Sequence, residues 1–132
     1  MLKNLLIQKI NILEKSMEPS LIHGSSIIMR KIILFYKPRR FDIVHFKKDG
    51  SNLIKRVVGL NNERIQIKNG ELVINGNKIS EKYIDNEYIY DFPEMVIGKD
   101  ELFLMGDNRK ISIDSRKFGP VKIKNILSFQ RL

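Results

Sequence analysis

The stretch Arg64–Gly76, RIQIKNGELVING, decides the fold class. Apolar and polar residues alternate through Ile65 and Ile67, meet Asn69-Gly70, and alternate out again through Leu72 and Ile74. Period-two alternation is the mark of a half-buried strand, and Asn-Gly is the dipeptide that accepts the positive φ values of a tight hairpin turn. The stretch therefore predicts a β-hairpin with Ile65, Ile67, Leu72 and Ile74 on one buried face. Working outward, similar short segments rich in β-branched and aromatic residues follow one another: SSIIM, IILFY, FDIVHF, NLIKRVVGL, MVIG and ELFLMG. Turn signals separate them at Lys37-Pro38, Asp49-Gly50, Asn61-Asn62 and Asn75-Gly76. The pattern predicts an all-β chain of mainly antiparallel, coiled sheets, a barrel or sandwich with little helix.

A chain of 132 residues is the size of one domain, and 42% apolar with 30% charged residues is the balance of a globular protein. No repeat, low-complexity tract or long linker divides it, so residues 1–132 are expected to form one domain. Within it, residues 1–15 are a lead-in whose apolar positions Leu2, Leu5, Leu6, Ile10 and Leu13 suit a short helix and an extended segment equally. No run of about 20 mostly apolar residues occurs. Lys3, Lys9, Glu14 and Lys15 interrupt the first segment, so the chain as written is expected to be soluble.

The formal charge is +9, from 24 Lys and Arg against 15 Asp and Glu. The cations are dispersed, with no arginine run, zinc-ligand spacing or aromatic platform, which argues against nucleic acid and for a membrane surface as the anionic partner. The absence of cysteine excludes disulfides, thiolate metal sites and thiol catalysis. No metal or cofactor is expected.

Three stretches carry candidate chemistry: SMEPSL (Ser16–Leu21), FDIVHF to LIKRVVGL (Phe41–Leu60), and LMGDNRKISIDSRKFGPV (Leu104–Val121). A serine hydroxyl is a weak nucleophile that needs a base within hydrogen-bonding reach. Neither His23 nor His45 stands in a recognisable triad context. A lysine serves only when uncharged, and lowering its pKa from about 10.4 to about 7 takes on the order of 4 kcal/mol of differential interaction, which burial supplies. Lys55 lies between Leu53-Ile54 and Val57-Val58, where one strand face can withdraw the amine from water. Arg56 alternates to the other face and is expected to pair with a carboxylate.

In this order the three stretches resemble the conserved boxes of type I signal peptidases, membrane-anchored serine proteases that remove signal peptides from exported proteins. The likeness spans Ile12 to Val121. Its most specific part is Gly106-Asp107-Asn108-Arg109, Ser112, Asp114-Ser115-Arg116 and Phe118-Gly119 at fixed spacing. The resemblance implies a signal-peptidase-like fold with Ser16 as nucleophile, Lys55 as general base and Ser112 orienting the amine. It further implies that Asp114 and Arg116 form an ion pair bracing the last box, and that Asp107, Asn108 and Arg109 fix the turn that delivers Ser112. Family enzymes bind the segment before the cleavage site as an added strand whose small side chains enter apolar pockets. Ile12, Met17, Leu21, Ile27, Leu53 and Ile54 fall on those pockets.

Several positions depart from the family pattern. Glu14 stands where a glycine or serine commonly supports the oxyanion hole, and His45 replaces an aliphatic residue near a pocket. Gly24-Ser25 and Asn61-Asn62-Glu63 replace two other conserved turns, and the insertion before the last box is short. These departures suit a divergent member and leave two roles in view: a Ser–Lys endopeptidase at the outer face of the bacterial cytoplasmic membrane, or a signal-peptidase-like accessory protein that grips pilin precursors beside a sortase. Related self-cleaving repressor domains also use Ser and Lys, but lack the long last box.

Overall fold

The computed structural model describes residues 6–84 and 88–131. The lead-in up to residue 5 lies outside them. From residue 7 the lead-in is extended rather than helical, forming β1 (Ile7–Asn11). The strands that follow are β2 (Ser26–Lys31), β3 (Ile43–Lys48), β4 (Ser51–Gly59), β5 (Arg64–Lys68), β6 (Glu71–Ile74), β7 (Asn77–Ile79), β8 (Phe92–Val96) and β9 (Glu101–Met105). A single-turn helix α1 (Ser115–Phe118), β10 (Val121–Lys122), a 3-10 turn and β11 (Ile126–Gln130) complete the order.

The strands pair in two open antiparallel sheets, one of seven strands in the order β1-β2-β11-β3-β4-β9-β10 and one of four in the order β7-β6-β5-β8. The all-β, antiparallel expectation holds, whereas no closed barrel is found among the described residues. In the β5–β6 hairpin Ile65 stands opposite Ile74 and Ile67 opposite Leu72, and all four are buried. Asn69 and Gly70 have φ of 52° and 77°, the positive values that the turn requires. Pro93 sits on β8, at the edge of its sheet, where a missing N–H is tolerated.

One expected strand is absent. IILFY (Ile32–Tyr36) runs as a loop between β2 and β3, with Ile33, Leu34 and Phe35 exposed. β-propensity marks residues that fit a pleated half-buried surface, and it cannot supply the neighbouring strand that would bury them.

Three apolar clusters hold the sheets. Ile65, Ile67, Leu72 and Ile74 join Val58, Phe103 and Met105, tying the small sheet to β4 and β9 of the large one. Ile12, Met17, Ile27, Met29, Ile43 and Ile54 form a second cluster, and Val44, Phe46, Val57, Leu102, Leu104 and Ile126 a third. At about 1.5–3 kcal/mol for each fully buried large aliphatic side chain, these clusters are the main force holding the strands in register. Both faces of β3 and β4 are covered, so residues 54–59 are buried without a break. Two of them, Lys55 and Arg56, carry basic groups, and that is where the fold turns into a site.

Candidate active site

Arg56 is satisfied as a cation. Its guanidinium donates Nε–H to Asp107 Oδ1 at 2.9 Å and Nη2–H to Asp107 Oδ2 at 2.7 Å, a bidentate pair with almost no exposure. A third donor reaches the Phe41 carbonyl at 2.9 Å, and the ring of Tyr83 lies 3.9 Å from the guanidinium carbon. Lys55, one residue earlier, is 1% exposed and has no carboxylate in ion-pair contact among the described residues; its Nζ–H donates to Ser112 Oγ at 3.1 Å. Burial lowers the lysine pKa from 10.5. The Glu14 and Asp114 carboxylates oppose that shift, while the Arg116 charge adds to it. Adjacent basic residues thus face opposite demands: one is held charged and the other is pressed towards the neutral amine.

Ser112 is delivered by a turn built on its own backbone. The N–H groups of Ile111 and Ser112 both donate to the Asn108 carbonyl, at 3.2 and 2.9 Å. Arg109 Nε–H donates back to the Gly106 carbonyl at 2.8 Å, and its guanidinium pairs with Glu81 and reaches Tyr90 Oη. Asp114 accepts from the Gly106 N–H at 3.0 Å, caps α1 through the Arg116 N–H and pairs with the Arg116 guanidinium at 2.9 Å. Burial alone would raise the Asp114 carboxyl, but Arg116 and the Gly106 N–H outweigh it and hold the group below the ordinary 3.8. Asp114 therefore remains a carboxylate and can brace the loop.

The same turn grips the segment that carries Ser16. Asn108 N–H donates to the Ser16 carbonyl at 2.9 Å, and Asn108 Nδ2–H to the Lys15 carbonyl at 3.2 Å. Ser16 is nearly buried, and among the described residues its hydroxyl makes no direct bond to Lys55; it donates instead to Glu14 Oε2 at 3.3 Å. Gly106 passes between the two halves. A β-carbon there would lie 2.2 Å from Ser112 Oγ and 2.6 Å from the Ser16 carbonyl oxygen. Only a hydrogen fits, so this glycine is required for space.

A cleft of about 310 Å³ opens beside Ser16, and of the six expected pocket residues Ile12, Met17 and Ile54 line it. Ile27 is packed in the core behind these three, and Leu21 lies against the same cluster, outside the cleft. Leu53 is the exception: strand alternation sends it to the opposite side from Ile54, against the cluster of Val44 and Phe46. Gln8, Lys9, Asn11, Glu14, Ser16, His45 and Asn52 form the polar part of the lining. His23 is exposed and far from any base role, its backbone N–H meeting Glu18.

Three supports were not foreseen from the sequence. Ser20 donates its hydroxyl to Asp107, Glu81 neutralises Arg109, and Tyr83 covers Arg56. Glu81 and Tyr83 lie in a stretch with no periodicity, and no local pattern marks them.

Comparison with known proteins places this geometry. The family model described as "Signal peptidase, peptidase S26" matches residues 1–131. The chain belongs to the peptidase S26 signal peptidase family. Its match to signal peptidase I of Bacillus caldolyticus is 41% identical over 131 residues, covering 86% of this chain and 71% of the relative. Signal peptidase I V of Bacillus subtilis is 36% identical over 128 residues, covering 85% and 76%. A crystal structure of a signal peptidase I from Enterococcus faecalis superposes with a TM-score of 0.64 at 28% identity, covering 74% of this chain and all of that one. As a signal peptidase I homologue the chain is a serine endopeptidase by class, acting on signal peptides of exported precursors. None of these relatives carries a pilus-related name. Among the described residues no helix is long and apolar enough to cross a membrane.

Proposed function

We propose that Ser16 and Lys55 are the catalytic pair of this signal peptidase, working at the outer face of the cytoplasmic membrane on an extended precursor segment laid along the cleft. The observation that carries the reading is Lys55, an amine 1% exposed, without an ion-pair partner among the described residues and held at Ser112 Oγ, whose surroundings favour the neutral form. In the cycle Ser16 Oγ leaves Glu14, gives its proton to Lys55 and attacks the scissile carbonyl. The lysine gives that proton to the departing amine and, neutral again, takes one from the water that hydrolyses the acyl-enzyme, passing it to Ser16 Oγ as the serine is released. The Ser16 N–H donates no hydrogen bond among the described residues, which leaves it free for the developing oxyanion. Asp107, Asn108, Arg109, Asp114, Arg116 and Arg56 hold the two halves of the pair in place.

The test is cleavage of a signal-peptide-bearing precursor by wild type, Ser16→Ala and Lys55→Ala, with circular dichroism as a check on folding. Both variants are expected to fold and to lose cleavage. Undiminished cleavage by either refutes the pair. The Glu14 contact with Ser16 favours a second reading, in which the chain grips a pilin precursor for a sortase and cleaves weakly. Pilin polymerisation that survives Ser16→Ala would select it.

A further inference from the structure

The cleft beside Ser16 has an apolar wall and a polar one. His45 is 3% exposed on β3, directly opposite Ile54 and diagonal to Asn52 on β4. Its Nε2 lies 2.9 Å from Asn52 Oδ1, and its Nδ1 lies 3.4 Å from the buried hydroxyl of Ser128. The buried ring is thus held from behind and fixes the Asn52 amide by its oxygen. Asn52 itself is exposed at the cleft, and among the described residues its Nδ2 donors have no partner. The Glu14 carboxylate lines the same cleft, an acceptor whose contact among the described residues is the Ser16 hydroxyl, and which that contact releases when Ser16 turns to its base. Lys9 lines the same cleft, so its two charges offset.

We infer that this cleft selects a neutral hydrogen-bonding side chain of the substrate, an amide or hydroxyl, which Asn52 meets with a donor and Glu14 with an acceptor. An aliphatic side chain would leave both groups desolvated and unpaired, the situation in which polar sites discriminate most strongly. An acidic side chain meets the Glu14 charge. A basic one meets Lys9 and the Asn52 donors. Asn52 contacts substrate, and His45 is a positioning residue acting through it.

The inference rests on the proposed role of Ser16, and its test separates the two. Peptide substrates are varied singly at each of the three positions before the cleaved bond, with Asn and Gln set against the near-isosteres Leu and Met. The expected result is a kcat/KM about tenfold higher for the amide at one position. Asn52→Leu should bring that ratio to one or below. His45→Val should shrink it through KM with little change in kcat, while His45→Gln, which keeps a donor for Asn52 Oδ1, restores part of it. Leu and Met peptides equal to or better than Asn and Gln at all three positions overturn the inference, even where cleavage depends on Ser16. Should no peptide be cleaved, equilibrium binding of the same peptides to Ser16→Ala protein decides. Tighter binding of the amide peptides sustains the selectivity without catalysis, and equal or weaker binding overturns it.

Discussion

Gly106→Ala is the smallest change that tests whether the two halves of the site work as one. The added methyl carbon would sit 2.2 Å from Ser112 Oγ, 2.5 Å from Ser112 Cβ and 2.6 Å from the Ser16 carbonyl oxygen. Non-bonded heavy atoms settle at about 3.5–4.0 Å, so each contact is roughly 1–2 Å too short. Relief cannot come from a flexible tip, because one neighbour is backbone and the other is a two-atom side chain tied to Lys55. Overpacking of this kind costs about 1–3 kcal/mol of stability. A displacement near 1 Å in a reacting array costs roughly 10²-fold in rate. The assays are thermal unfolding and kcat/KM on a fluorogenic signal-peptide substrate. Placing Gly106→Ala in a Ser112→Gly background, where two of the three short contacts vanish, should leave a smaller destabilisation than in wild type, because contacting sites are non-additive. Activity of Gly106→Ala within threefold of wild type would refute the argument that this glycine sets the spacing between Ser16 and Ser112.

Other outcomes follow from the same geometry. Glu14→Gln removes a charge that raises the Lys55 pKa, so the acid limb of the kcat/KM profile should move to lower pH; an unmoved limb would show that Glu14 does not act on the base. Lys55→Met should abolish cleavage. Because the folded-state lysine titrates below 10.5, stability in wild type rises with pH up to that value, and chemical denaturation across the alkaline range should show this slope flattened in the variant. Asp107→Ala strands a guanidinium that is 4% exposed, a loss of about 3–5 kcal/mol and a melting temperature lower by on the order of 10 °C, whereas a shift of 1–2 °C would mean the pair is not buried in solution. Gly70→Ala, at φ 77°, should destabilise the β5–β6 hairpin by about 1 kcal/mol in the same measurement.

What could be read in advance was what local chemistry or a long fixed-spacing motif encodes. The β5–β6 hairpin needs only its own thirteen residues, with positive φ at Asn69 and alternation on either side. Ser112 beside Lys55 came from the resemblance of the last box to the family's, since no local rule joins residues 57 apart. Composition and resemblance fall short where tertiary partners decide. IILFY has the composition of a strand, but among the described residues only its ends meet β11, through the Ile32 N–H to the Leu127 carbonyl and Tyr36 against Phe129; Leu53, which the resemblance puts on a pocket with Ile54, faces the other way because adjacent strand residues alternate. The resting bond from Ser16 to Glu14 and the Glu81 clamp on Arg109 are products of packing. Their residues are ordinary in sequence, and only the assembled sheets give them partners.

The bonds that complete the site join residues far apart in the chain: Lys15 to Asn108 across 93 positions, Lys55 to Ser112 across 57, and Arg56 to Asp107 across 51. No fragment that stops short of residue 112 contains both the amine and the hydroxyl that steers it. A protease with this wiring is inert until its sheets assemble, and inert again when unfolded, because a lysine that water reaches takes up a proton and can no longer act as a base. Assembly of the two sheets completes the site, and any unfolding dismantles it before the chain can attack its neighbours.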